Sequence, residues 1–323
     1  MPQARERTVP PNCTGYYHCV SRCVRRAWLC GVDPLTGIDY EHRRELIEER
    51  LLMLAEVYSV SIYAYAVMSN HLHVVLKIDA SAAAGWSDEE VAVRWCQAFP
   101  GSGDPGSQKT RIVNIAAAPE LVAEYRDRLR NLSWFMKSLV EPIARQANRE
   151  DGCTGRFWEG RFKAQALVDE RALLAAMVYA DLNPIRAKMA TDLPSSKHTS
   201  AQRRIAQIGA EAPLAEHPLE SIAGIKQGGL SLSSQSYLLL ADFTGRHWHQ
   251  GKPGRISDEV RPIMMALKID PDQWDQQVRG FGEARVSALG ALDRLIQFAA
   301  DTGRRWLVGY QLARKVYRQA LAF

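Results

Sequence analysis

Hydrophobic and polar positions in the first 190 residues follow two different periods. Tyr16, His18, Val20 and Arg22 alternate with Tyr17, Cys19, Ser21 and Cys23, and the aromatic and β-branched content predicts a strand. Residues 41–58 switch to helical spacing, with Leu46, Leu51, Leu54, Ala55 and Tyr58 recurring along a charged helix. SIYAYAVMS (61–69) predicts a second strand, Asn70 a turn and HLHVVLKI (71–78) a third strand, which together make an antiparallel hairpin. Over 79–120 the pattern loosens into Ala-, Gly- and Pro-containing pieces that predict an inserted, partly irregular excursion. Helical spacing resumes over 119–150, where Pro142 predicts an end or kink near Val140. Residues 152–168 read as a glycine-punctuated turn running into a strand. Residues 169–190 read as a helix capped by Asp169 and interrupted at Asn183-Pro184.

The predicted order is strand–helix–strand–strand–helices–strand–helix. That is an α+β fold, an antiparallel sheet with helices packed on it. The chain divides into a domain over 1–192 carrying the 79–120 insertion, a linker over 193–236, and a mainly helical C-terminal extension over 237–323.

Composition narrows the class. With 323 residues, 46% hydrophobic and 24% charged, the chain is neither disordered nor a disulfide scaffold. No apolar run reaches the roughly 18 residues a membrane helix needs, and the N-terminus lacks a secretory core. The expectation is a cytoplasmic chain with no membrane partner. None of the six cysteines forms a C-x-x-C pair, so reduced thiols are expected. A net charge of +5 neither demands nor excludes a nucleic-acid partner. What matters is where the basic residues sit.

Two His-x-His pairs stand out. His71 and His73 share one face of a strand, because side chains alternate with period two. Such a pair can chelate a metal, and serves equally well as two structural strand histidines. His247 and His249 lie in GRHWHQGKPGR, which reads as a solvated or nucleic-acid-facing loop. Val75 at the next same-face position argues against a histidine triad. The absence of H-E-x-x-H, Walker A and G-x-S-x-G removes the common protease, ATPase and hydrolase readings. Tyr179 and Asn183 stack four residues apart on one helix. Alone, they read as a core tyrosine and a residue at a helix C-terminus.

The ordered set AVMSNHLHVVLK, FWEGRFKAQAL and VYADLNPIRA, preceded by YYHCVSRCVRR, resembles the HUH single-tyrosine transposases, and in particular the REP-associated tyrosine transposases. The resemblance covers roughly residues 13–190 and leaves the 79–120 insertion and everything after about 200 unmatched. It implies an HUH endonuclease, a ferredoxin/RRM-like sheet, that cuts single-stranded or hairpin DNA in DNA transposition. Tyr179 would be the nucleophile, forming a 5′-phosphotyrosine. His71, His73 and Asn183 would hold one divalent ion, Mg²⁺ or Mn²⁺. DNA contacts would come from Arg22, Arg25, Arg26, Arg156, Trp158, Arg161, Lys163 and Arg186, since cations beside aromatic rings suit single strands. The resemblance leaves the oligomeric state open between monomer and homodimer. A hairpin-DNA-binding protein without cleavage activity and a metal-dependent phosphohydrolase are the competing readings.

Overall fold

The computed structural model describes residues 8–10, 14–24, 28–101, 104–226, 229–250, 258–283 and 286–317. The first half runs β1 (Gly15–Arg22), α1 (His42–Val57), β2 (Val60–Val67), β3 (His71–Ile78), α2 (Asp88–Ala98), α3 (Pro105–Ala116), α4 (Pro119–Leu129) and α5 (Leu132–Glu150). It continues with β4 (Lys163–Leu167), α6 (Glu170–Asp181), α7 (Asn183–Arg186), α8 (Ser200–Ala210), β5 (Ala223–Gly224), α9 (Ser234–Gln250), α10 (Val260–Ala266), α11 (Pro271–Glu283), β6 (Ala288–Leu289), α12 (Leu292–Asp301) and α13 (Gly309–Val316). The fold is α+β, with a mainly helical C-terminal part.

One six-stranded sheet, in the order β5-β2-β3-β1-β4-β6, organises the molecule. Its pairs are antiparallel except β4–β6, which is parallel. The stretch after residue 192 therefore does more than add helices, because β5 and β6 close both edges of the sheet. Helices cover both faces. Tyr17, Cys19, Leu72, Val74 and Leu76 join a core with α1, α2 and α5. Val75, Leu167 and Ala172–Ala180 of α6 form a second core with α9 and α11. At Tyr63–Ala64 the register of β2 shifts. Two successive residues there join the α6 core, as a β-bulge requires.

The details correct several expectations. On α1 it is Ile47, Leu51, Leu54 and Ala55 that are buried, while Leu46 stays 41% exposed. The stretch 79–120 is mainly helical, built by α2 and α3, with Ser87 and Asp104 capping their N-termini. Helix α5 runs straight through Pro142. Proline cannot donate to the carbonyl four residues back. That carbonyl, Ser138, instead accepts from Arg50 Nε at 2.8 Å, which satisfies the acceptor the proline leaves open. His247 and His249 lie on the backbone of α9 rather than in a loop. The described cysteines are all free.

Candidate active site

Strand register assembles the site. In β1, β3 and β4, directly opposite residues share a face. Arg22 pairs with His71; Val20 pairs with both His73 and Lys163; His18 pairs with both Val75 and Gln165. All these rows face α6. That helix is buried along Ala172–Asp181 because it lies between the sheet and α9 and α11. Its N-terminus is capped by Asp169, whose carboxylate accepts from Ala172 N at 2.7 Å and from Ala291 N at 2.6 Å. Its last residue, Asp181, accepts from Ser200 Oγ and Tyr237 Oη at 2.5 Å each and from Ala201 N at 2.9 Å. Complete burial raises the Asp181 carboxyl above its usual range, and these donors oppose the rise. Helix α6 is thus held at both ends, which fixes what it presents to the sheet.

It presents Tyr179. The Tyr179 ring meets His73 edge-on at 5.6 Å and His18 edge-on at 5.9 Å, while His71 and His73 lie 4.8 Å apart, centre to centre. Asn183, one turn on, donates from Nδ2 to the Tyr179 carbonyl at 2.8 Å. Arg186 Nη2 donates both to Tyr179 Oη at 3.0 Å and to Asn183 Oδ1 at 2.9 Å. The four residues expected to form the site therefore converge, with Arg186 joining two of them. Phe281 of α11 stacks on the Tyr179 ring at 5.7 Å. Tyr179, His73 and Asn183 are buried, His71 is half-buried and Arg186 is exposed, so the site opens along Arg186 and His71.

Burial keeps the histidines neutral. It lowers His18 to about 4 against a bond from Gln165 that raises it. His71 is also lowered to about 4, first by burial, then by the positive charges of Arg22 and Arg186, and last by the neighbouring His18, which resists a second proton on the pair. His73 is driven well below its ordinary value by burial, with the same charged neighbours adding to it. A neutral imidazole is the form that ligates metal. Asn70 Oδ1 sits 2.6 Å from His71 Nδ1; with the Asn70 oxygen accepting, His71 Nε2 carries the lone pair. His73 Nε2 is buried and has no hydrogen-bond partner. Among the described residues no three His, Cys, Asp or Glu side chains are arranged to hold an ion, so a third protein ligand here would be an amide. Two imidazole nitrogens and Asn183 Oδ1 fit a divalent cation that accepts mixed N and O donors.

The expected DNA contacts divide. Arg22, Arg156, Arg161, Lys163 and Arg186 are exposed. The 156–163 segment is tied to the end of β1 by a Cys23–Trp158 bridge and by Glu159 N bonding Arg22 O at 2.9 Å, so it lies at the end of β1 that carries Arg22, the register partner of His71. Arg25 and Arg26 lie outside the described residues. Trp158 is corrected. It is 8% exposed, packs edge-on against Phe157, and its indole N–H bonds the Val140 carbonyl at 2.9 Å, so the ring offers no face for a base to stack on. Sequence reasoning missed His18 and Gln165 as site residues. The parity of His18 with Arg22 was visible in the alternation, but the pairing of β1 with β4 was not.

No protein-family model matches this chain, and no curated protein does. Among solved structures it is similar to a REP-associated tyrosine transposase bound to a REP hairpin, at 14% identity over 68% of this chain and 90% of that one, with a TM-score of 0.32. Likeness at that level does not assign the chain to a family.

Proposed function

We propose that this chain is a transposase-like enzyme that cuts and rejoins single-stranded or hairpin DNA through Tyr179. The observation that carries the reading is the convergence of His71, His73, Asn183 and Tyr179 beside Arg186. In this reaction the Tyr179 oxygen attacks a backbone phosphorus. The new oxygen–phosphorus bond forms as the bond to the 3′ oxygen breaks. The phenol gives up its proton and the leaving oxygen gains one, which yields a 5′-phosphotyrosine and a free 3′-hydroxyl. The ester keeps the bond energy, so a later 3′-hydroxyl reseals the strand without ATP.

His71 and His73 through their Nε2 atoms and Asn183 through Oδ1 would hold one divalent ion, Mn²⁺ suiting the imidazoles better than Mg²⁺. When bound, such an ion polarises the phosphate oxygens and neutralises charge in the transition state. Arg186 holds the phenol oxygen and Asn183 in register, and its exposed side meets the entering phosphate. Arg22, Arg156, Arg161 and Lys163 supply sequence-independent backbone contacts.

A hairpin-bearing single strand with Mn²⁺ should give a denaturant-resistant protein–DNA adduct, and Tyr179→Phe should abolish the adduct while largely preserving binding. Burial of Tyr179 beneath Phe281 favours a second reading, a hairpin-binding protein that no longer cuts. Tight binding with no adduct under any divalent metal selects that reading instead.

A further inference from the structure

A chain of hydrogen bonds behind His73 determines which of its nitrogens carries the proton. The Val286 carbonyl can only accept, so the Gln165 atom 3.1 Å from it is the amide nitrogen. Gln165 Oε1 then faces His18 Nδ1 at 2.9 Å and can only accept, so His18 carries its proton on Nδ1. A neutral imidazole has one N–H. His18 Nε2 is therefore a lone pair, and it accepts from His73 Nδ1–H at 2.9 Å across parallel rings whose planes differ by 8°. Both rings are buried, His18 at 1% and His73 at 3% exposure, and no carboxylate among the described residues bonds either one. What remains is His73 Nε2, bare, buried and without a partner.

We propose that His18 and Gln165 are positioning residues that lock His73 in the tautomer with an unprotonated Nε2, the form able to ligate a cation; the ligand role itself rests on the metal-site reading above. The arrangement draws on three adjacent strands. Gln165, His18 and Val75 form one register row, and His73 lies two residues back along β3. It also gives the C-terminal part a place in the site, because Val286 holds the far end of the relay. Orienting partners of this kind behind a ligating histidine fix its tautomer and raise its basicity.

The test reads the tautomer directly. Long-range ¹H–¹⁵N spectra of the full chain without metal, with imidazole nitrogens labelled, should show His73 protonated at Nδ1 and bare at Nε2. In His18→Phe the His73 proton should move to Nε2, and Mn²⁺ affinity should fall about 10- to 100-fold. Gln165→Met, close to isosteric but without the acceptor, should give a mixture of tautomers. A wild-type His73 protonated at Nε2 overturns the proposal without any variant, and so does a His18→Phe protein that keeps the Nδ1–H form. If the wild type shows the Nδ1–H form yet neither binds Mn²⁺ nor forms a DNA adduct, the relay stands and the metal-site reading fails.

Discussion

The two faces of the sheet handle buried polar groups in opposite ways. On the α1 and α5 face, Arg43 is 3% exposed and bonds Glu150 and Asp151 at 2.6 Å each, and Tyr58 Oη meets Ser138 Oγ at 2.5 Å. Charges there are matched by opposite charges, and hydroxyls by hydroxyls. On the α6 face, three imidazoles, a phenol, an amide and a guanidinium crowd together with no carboxylate among them. The first arrangement stabilises. The second keeps neutral nitrogens dry and leaves His73 Nε2 without a partner, a folding cost that a bound ligand would offset.

Four measurements separate the faces. The largest contrast is in chemistry: Tyr179→Phe should remove DNA adduct formation, whereas Tyr58→Phe, buried on the other face, should leave it intact. The stability contrast runs the other way. Arg43→Ala strands two partly hydrated carboxylates, 28% and 22% exposed, and should cost about 2–4 kcal/mol in urea unfolding, somewhat under a fully buried pair.

Acid should withdraw the stability contributed by the two faces in sequence. His18 and His71 titrate near 4 when folded and near 6.5 when unfolded. Between those values the unfolded chain binds protons that the folded chain refuses. Stability from the site face is therefore complete above pH 6.5 and falls as the pH drops toward 4. For His18 the loss amounts to roughly 3 kcal/mol. Burial raises the Glu150 carboxyl, but bonds from Gln146, Arg43 and His42 more than offset it and hold it below its ordinary value. The Arg43 pair therefore weakens only at lower pH, below the ordinary glutamate range. Unfolding curves between pH 7 and 3 should show the earlier loss shrinking in His18→Phe and the later one shrinking in Arg43→Ala. The smallest effect concerns DNA contact. Lys163→Ala should weaken binding uniformly across sequences and reduce the salt slope by about one.

Much of the site face was legible in the sequence, and the reasons are local. Period-two alternation is enough to put His71 and His73 on one side of a strand, and a four-residue spacing is enough to stack Tyr179 and Asn183. What stayed hidden depends on distant pairing. Gln165 reaches Val286, 121 positions away, and joins His18 only through the β1–β4 register. Pro142 read as a helix end because Arg50, on another helix, was not visible as the partner of Ser138. Trp158 read as a DNA contact, since composition does not say which way an indole turns.

In the proposed reaction Tyr179 bonds DNA covalently at a site built by His71, His73 and Asn183. The most direct test is to digest the chain after reaction with a hairpin-bearing single strand and Mn²⁺, and to map the nucleotide-bearing peptide by mass spectrometry. A phosphotyrosyl link on Tyr179 is the expected result. A link on Tyr16, Tyr17 or Tyr125, or no linked peptide while binding persists, would contradict it.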